Sequence, residues 1–120
     1  MTASTIAVAL ALAAPLHVTL AAPTHAPRVG TEWRYAVHAT RAGKAVAARL
    51  TVQIVDPLGG AHAVTFGRTN RKLIRWPFRG IFRDFMIWPR SSRGIPLRLR
   101  VTVVAGGTRR VLTYAVLPRS

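Results

Sequence analysis

Few residues of this chain carry side chains that could catalyse a reaction. The 120-residue sequence contains only three carboxylates, Glu32, Asp56 and Asp84, and no cysteine. General acid–base catalysis needs two titratable groups held close together, whereas the surroundings of these three carboxylates place them on different elements. The lack of cysteine also removes disulfides, thiolate metal sites and thiol nucleophiles. The acids therefore predict no paired catalytic site.

Histidines, serines and glycines add only weak candidates. Ser91-Ser92 could join a histidine and an acid in a small hydrolase, but no nucleophile-elbow sequence surrounds this pair. The glycine pairs at 59–60 and 106–107 precede no predicted helix, so they indicate turns rather than phosphate-binding loops. The histidines lack the i, i+2 or i, i+4 spacing typical of a metal site: His17, His25, His38 and His62. We expect no catalytic residues, no metal and no cofactor.

The strongest local signal is a cluster of basic residues. The chain has 18 lysines and arginines against 3 acids, a formal net charge of +15. A run of charge usually marks a solvated face, but this one lacks the acids that normally accompany it. Arginine favours bidentate contacts to phosphate and carboxylate groups. The candidate polyanion-binding residues are Arg68, Arg71, Lys72, Arg75, Arg79 and Arg83. No motif for sequence-specific nucleic-acid binding accompanies them.

Aromatic residues are interleaved with arginines in the segment RWPFRGIFRDFMIWPR, residues 75–90. Alternation places Asp84 on one side of a strand together with Phe82, Met86 and Trp88, and apolar residues fall on the other side as well. The segment is therefore predicted to be a strand covered on both faces for much of its length, with mainly structural aromatics. Asp84 is expected to pair with a neighbouring arginine.

The N-terminus predicts export from the cell. The apolar run Ile6–Leu16 has eleven residues, too few to span a bilayer but suitable for the core of a signal peptide. Ala11-Leu12-Ala13 fits the small-x-small pattern before a cleavage site, although no basic residue precedes the run. We assign residues 1–14 as a signal peptide and 15–120 as the mature domain, without a transmembrane span. The alternative is a buried first strand or helix.

From residue 16 onward, hydrophobic residues alternate with period two, which predicts strands. The seven predicted strands are 17–21, 31–40, 46–54, 61–66, 80–88, 95–105 and 109–117, and residues 73–74 are a candidate for a further short edge strand. Turn residues separate them, as in an all-β antiparallel sandwich of about seven strands. The residues expected to be largely buried are Trp33, Tyr35, Leu50, Val52, Leu99, Val101 and Tyr114. Those expected to face solvent are Arg34, Arg49, Arg98 and Arg100.

Two segments resemble bacterial Ig-like and fibronectin-type-III-like domains. GTEWRYAVHATRAGKAVAARLTVQIVDP, residues 30–57, is similar to their opening hairpin, and SRGIPLRLRVTVVAGGTRRVLTYAVLPR, residues 92–119, looks like their last hairpin. The resemblance implies a single secreted domain of the kind found in high-GC Gram-positive bacteria. It also implies a non-enzymatic interaction or structural role. Copper-binding sandwiches share the layout but use histidine and methionine clusters, whereas His62 is alone in its turn and Met86 is the only methionine besides Met1.

The expected localisation is therefore secreted or cell-wall-associated. For an exported basic domain, the expected partners are teichoic acids, acidic polysaccharides or anionic lipid headgroups rather than a specific nucleic acid. Such binding rests on screened attraction and counterion release, so it should weaken steeply as salt rises.

Overall fold

The computed structural model describes residues 14–120 and shows an all-β fold of nine strands, so the predicted β-sandwich is confirmed. The predicted signal peptide lies outside the described residues, apart from Ala14. Within residues 14–120, no helix is long and apolar enough to cross a membrane. The strands are β1 (Leu16–Ala21), β2 (Glu32–Arg41), β3 (Lys44–Ala45), β4 (Ala47–Val55), β5 (Ala61–Ala63), β6 (Trp76–Arg79), β7 (Ile81–Ile87), β8 (Leu97–Ala105) and β9 (Thr108–Val116).

The strands form two antiparallel sheets packed against each other. The first sheet has the order β1-β2-β7, with short β3 beside β2. The second sheet has the order β6-β4-β8-β9, and β5 pairs with the end of β4 beyond β6. The sequence predicted about seven strands because two-residue β3 is too short to show alternation and β6 contains Pro77. The candidate edge strand at 73–74 is wrong, since these residues lie in the loop before β6.

Alternation of side chains accounts for the core between the sheets. In β2 the residues Trp33, Tyr35, Val37 and Ala39 are buried, while the residues between them face outward. Leu50, Val52, Leu99 and Val101 are buried as well, so the predicted register of β4 and β8 is confirmed. Two residues differ in burial from the expectation. Tyr114, expected to be buried, and Arg100, expected to face solvent, are both half-buried.

Two hairpins close as their glycines predict. Between β2 and β3, Ala42 and Gly43 have φ values of 53° and 74°, and between β8 and β9 Gly106 and Gly107 have 53° and 81°. Positive φ at both central residues matches the twist of antiparallel strands, and glycine adopts it without steric cost. The β8–β9 hairpin is therefore in register from Leu97 to Val116.

Gly80 lies where the chain passes from the second sheet to the first. Its carbonyl accepts a hydrogen bond from the Ala39 N–H at 2.8 Å, and its own N–H donates to the Val46 carbonyl at 3.0 Å. β6 and β7 meet only through the pair Arg79 and Ile81 on either side of it. The glycine has a φ of +73°, and a Cβ there would lie 2.6 Å from the Ala45 Cβ. This corner therefore requires glycine.

The aromatic segment 75–90 is mainly part of the core. Phe82, Met86 and Trp88 are buried on the inner side of β7 and its end, and Phe78 packs edge-on against Phe82. The expectation that both faces of this strand are covered for much of its length is met only in part. On the outer face Ile81 and Phe85 are half-buried, whereas Arg83 and Ile87 are exposed.

Candidate functional site

The outer surface of the second sheet carries a set of arginines that we call the arginine face. These arginines lie on β4, β6, β8 and β9. The pairing of β4 with β6 and β8, and of β8 with β9, places the arginine side chains on the same side of the sheet. Outward-pointing positions between them are small, polar or aliphatic, including Thr51, Gln53, Thr102 and Thr113. The arginine face consists of Arg49, Arg79, Arg98, Arg100 and Arg109.

Hydrogen bonds hold two of these arginines in place. Arg100 donates from Nε and Nη2 to the Gln53 Oε1 at 3.2 and 2.8 Å, across the β4–β8 pair. Arg49 donates to the Arg75 carbonyl at 3.2 Å, where Arg75 enters β6. For the other three, no side-chain hydrogen bond is formed within the part of the chain that the structure describes. Their guanidinium groups are exposed and available to a ligand.

None of the protein's three acids neutralises the arginine face. Glu32 lies on the first sheet and accepts from Arg34 at 3.1 Å and from Arg68 at 3.4 Å. Asp84 also lies on the first sheet, on the inner side of β7. Asp56 borders the Arg98 end of the arginine face, but the His62 ring and the N–H groups of the turn occupy its carboxylate. The five arginines therefore outnumber the one carboxylate at their border, and the arginine face keeps a net positive charge.

The six basic residues predicted from the sequence do not form one cluster. Arg68 and Arg83 lie beside the first sheet, and Arg79 belongs to the arginine face with Arg75 at its border. Arg71 places its guanidinium 4.5 Å from the centre of the Trp76 ring, a cation–π contact. Lys72 is exposed on the loop that leads to Leu73. Whether these residues bind polyanions stays a prediction.

A groove of about 800 Å³ lies on the other side of the molecule, along β1, β2 and β7. Small residues at the end of β1 and in the middle of β2 leave this space open. Aromatic and basic residues border it, and the loop that contains Gly67 and Thr69 closes one side. The residues that line this Phe85 groove include Ala21, Ala36, Arg34, Arg68, Arg83 and Phe85.

Asp84 does not pair with an arginine, so that expectation is wrong. Its Oδ2 accepts a hydrogen bond from the Gly67 N–H at 3.2 Å, which fastens the loop to β7. Burial raises the pKa of the Asp84 carboxyl, although hydrogen bonding from the Phe85 and Gly67 backbone and from the Tyr35 hydroxyl opposes this shift. The pKa of Tyr35, directly across from Asp84 on β2, is also raised, mainly because burial disfavours the phenolate and secondarily because Asp84 is negative.

Asp56 and His62 form the one acid–histidine contact among the described residues, at 2.7 Å between Oδ2 and Nε2. The pKa of Asp56 is lowered, first by His62 and then by the Gly60 backbone. Neither Ser91 nor Ser92 hydrogen-bonds to His62; Ser92 donates to the Pro89 carbonyl instead. Across residues 14–120, no group of three histidines or acids is placed to hold a metal ion.

Replacing Tyr35 with phenylalanine tests what its buried hydroxyl contributes. Tyr35 is 3 % exposed, and its hydroxyl lies near the Asp84 carboxyl, outside strict hydrogen-bond geometry but close enough for each group to shift the pKa of the other. Phenylalanine would leave the half-buried Asp84 carboxyl without this polar neighbour, so Tyr35→Phe should lower the free energy of unfolding by about 1 kcal/mol at pH 7. Urea denaturation followed by tryptophan fluorescence measures this change.

The same variant should alter stability at high pH. Because the folded-state pKa of Tyr35 is raised, its contribution to stability is fully present below the unfolded-state pKa of about 10 and is lost as pH rises above it. Tyr35→Phe should therefore lose less stability than the wild type between pH 9 and 11. Tyr114→Phe is the control, and equal alkaline losses in all three proteins would contradict this assignment.

Sequence reasoning found the outward direction of Arg49, Arg98 and Arg100 but did not join them into a site. The sequence prediction grouped basic residues that are close together along the chain, and it therefore selected residues between 68 and 83. The arginine face instead depends on which strands are neighbours, since Arg49 and Arg109 both flank Val104 on β8. The outward arginines of β4 and of the last hairpin were visible in the sequence. The pairing of β4 with that hairpin was not predicted.

Comparisons with known proteins show no family. No known family matches the sequence, and no curated protein is similar to it. Among solved structures, a DUF4466 family protein from Parabacteroides merdae is similar over 86 % of this chain and 43 % of its own, with 17 % sequence identity and a TM-score of 0.46. The chain thus spans less than half of that protein, and a similarity at this level identifies neither family nor function.

Proposed function

We propose that this protein is a non-enzymatic, exported interaction domain that binds linear polyanions on its arginine face. One observation carries the proposal: five arginines share one sheet surface, and the single carboxylate at its border, Asp56, is bound by His62 and its own turn. Surfaces that are merely solvated usually interleave both signs of charge. A net positive surface attracts polyanions through its summed potential.

The spacing of the arginines suits an extended polymer. Arg79 pairs with Ala47 and Arg98 with Val55, so the arginines extend over the nine residue positions of β4. At about 3.3 Å per residue, this is a distance of roughly 27 Å. Side chains on the same face of a strand are two residues, or about 6–7 Å, apart. A polymer with one charge every ~6–7 Å could therefore contact most of the arginine face at once. A small anion would contact only one or two arginines.

The composition of the arginine face favours polymers of phosphate, sulfate or carboxylate groups over nucleic acids. Proteins that bind single strands stack the bases on aromatic side chains. The outward positions of β4, β6, β8 and β9 contain threonine, glutamine, alanine, valine and proline besides arginine, and none is aromatic. Contacts to a charged backbone alone supply affinity without sequence information. Teichoic acids and acidic polysaccharides are the corresponding partners outside the cell.

Two further features support the exported, Ig-like part of the proposal. The predicted signal peptide would direct the chain to the cell wall or medium, where such polymers occur. The strand order also agrees with the resemblance, because β4, β8 and β9 are neighbours as strands C, F and G are in immunoglobulin sandwiches. Ligand binding in such domains commonly uses loops and sheet faces on a rigid scaffold.

Salt dependence tests the proposal. Affinity for inorganic polyphosphate, measured by calorimetry between 50 and 300 mM NaCl, should fall with a slope of about −3 to −4 in log K against log salt. This corresponds to five contacts at about −0.7 each, the value for single-stranded chains. Tripolyphosphate is the control and should bind much more weakly because it reaches fewer arginines. Equal affinity for the two anions, or a slope near zero, would contradict the proposal.

A further inference from the structure

We propose that the Phe85 groove is a second, separate binding site that takes a small aromatic acid. The ligand would lay its ring on the apolar floor and direct its carboxylate to Arg83. This inference does not rest on polyanion binding, because the Phe85 groove and the arginine face lie on different sheets.

The floor of the groove follows from two small residues that lie side by side. Ala21 on β1 pairs with Ala36 on β2, and Ala36 in turn pairs with Arg83 on β7. Two neighbouring alanines on the outer surface leave a depression that larger side chains would fill. The resulting volume of about 800 Å³ lies within the range of small-molecule sites, roughly 300–1,000 Å³.

An aromatic wall favours a planar ligand. Phe85 lies across from Arg34 and is half-buried, and the Arg68 guanidinium carbon is 5.5 Å from the centre of its ring. Aromatic and guanidinium planes both stack favourably on a flat apolar group. A ring placed over Ala36 would meet Phe85 on one side. This arrangement favours an aromatic body over a flexible alkyl chain.

The charges at the groove select an anion. Arg34 and Arg68 share the single carboxylate of Glu32, at 3.1 and 3.4 Å. Arg83 forms no ion pair or side-chain hydrogen bond with any described residue, and it is exposed beside Ala36. Asp84 also lines the groove, but its Oδ2 is engaged by the Gly67 N–H. Three guanidinium groups and the Asp84 carboxylate thus line a mainly apolar space, and Arg83 is the guanidinium free to pair with the carboxylate of a ligand.

Calorimetric titration with 2-naphthoate at 150 mM NaCl tests this site, with 2-naphthalenemethanol as the uncharged comparison. The carboxylate should bind at least tenfold more tightly than the alcohol, since hydrogen bonds between charged groups are about twice as strong as neutral ones. Arg83→Gln should remove most of this difference. Arg98→Gln, which deletes an equal charge from the arginine face, should leave naphthoate affinity unchanged.

A second variant tests the floor independently of charge. Ala36→Phe should fill the groove and abolish naphthoate binding, while circular dichroism and thermal unfolding report whether the fold is retained. Saturating polyphosphate should not displace naphthoate if the two sites are separate. Three results would overturn the inference: equal affinity for acid and alcohol, equal losses from Arg83→Gln and Arg98→Gln, or unaltered binding by folded Ala36→Phe. Because none of these requires polyphosphate to bind, the inference can fail while the proposed function stands.

Discussion

Changing Arg79, Arg98 and Arg109 together to glutamine is expected to weaken polyphosphate binding roughly a hundredfold at 0.1 M salt. Each ionic contact to a single-stranded chain multiplies affinity by about the salt concentration raised to −0.7, or about fivefold at 0.1 M. Removing three contacts should therefore lower the affinity by a factor of about 5³. None of these three side chains donates a hydrogen bond within the part of the chain that the structure describes, so the variant should keep its fold.

A charge-matched variant separates the arginine face from the protein's overall charge. Changing Arg68, Arg71 and Lys72 to glutamine removes the same three positive charges from a total of +15. Because these residues lie on the loop before β6 rather than on the arginine face, affinity should fall only severalfold. Equal losses in the two variants would mean that net charge alone binds the polymer. A larger loss in the loop variant would instead support the cluster predicted from the sequence.

Gly80→Ala is expected to lower the free energy of unfolding by about 2–4 kcal/mol. A residue with a Cβ at a φ of +73° costs about 1 kcal/mol. The new methyl group would also lie 2.6 Å from the Ala45 Cβ, and relieving such a clash in a packed region typically costs another 1–3 kcal/mol. Since the same residue joins the two sheets, strain there cannot relax without disturbing β3 or β7. Urea denaturation measures the loss.

Two controls divide this loss into its parts. Gly30 has a φ of +78°, and a Cβ added there would meet no atom within 4 Å, so Gly30→Ala should cost only about 1 kcal/mol. Adding Ala45→Gly to Gly80→Ala removes the opposing methyl group and should restore about half of the lost stability. If Gly80→Ala costs no more than Gly30→Ala, the close approach to Ala45 is unimportant.

The fold was predictable because the alternation of apolar and polar residues in each long strand shows which side chains face the core. Period two in β2, β4 and β8 identifies Trp33, Leu50 and Leu99 as core residues, and the turns at Gly43 and Gly106-Gly107 fix the hairpins. The passage through Gly80 was not predictable. Its φ and its contact with Ala45 arise only when the two sheets pack together.

The site was less predictable for the same physical reason. Local sequence shows that Arg98 and Arg100 alternate with apolar residues, but not that β4 lies between β6 and β8. The Phe85 groove likewise needs Ala21, Ala36 and Arg83 from three strands that are distant in sequence. Basic residues close together in the chain, by contrast, separate onto different surfaces, because the loop before β6 reaches the first sheet at Asp84 and the chain passes to that sheet at Gly80.

The most direct measurement of the central claim is a map of backbone amide shifts during titration of the ¹⁵N-labelled protein with polyphosphate. Shifts should be largest on β4, β6, β8 and β9, at and beside Arg49, Arg79, Arg98, Arg100 and Arg109, and should reverse when salt is raised to 0.5 M. Shifts confined to the 68–72 loop or to the Phe85 groove, or spread evenly over the surface, would contradict the claim that the arginine face binds the polymer.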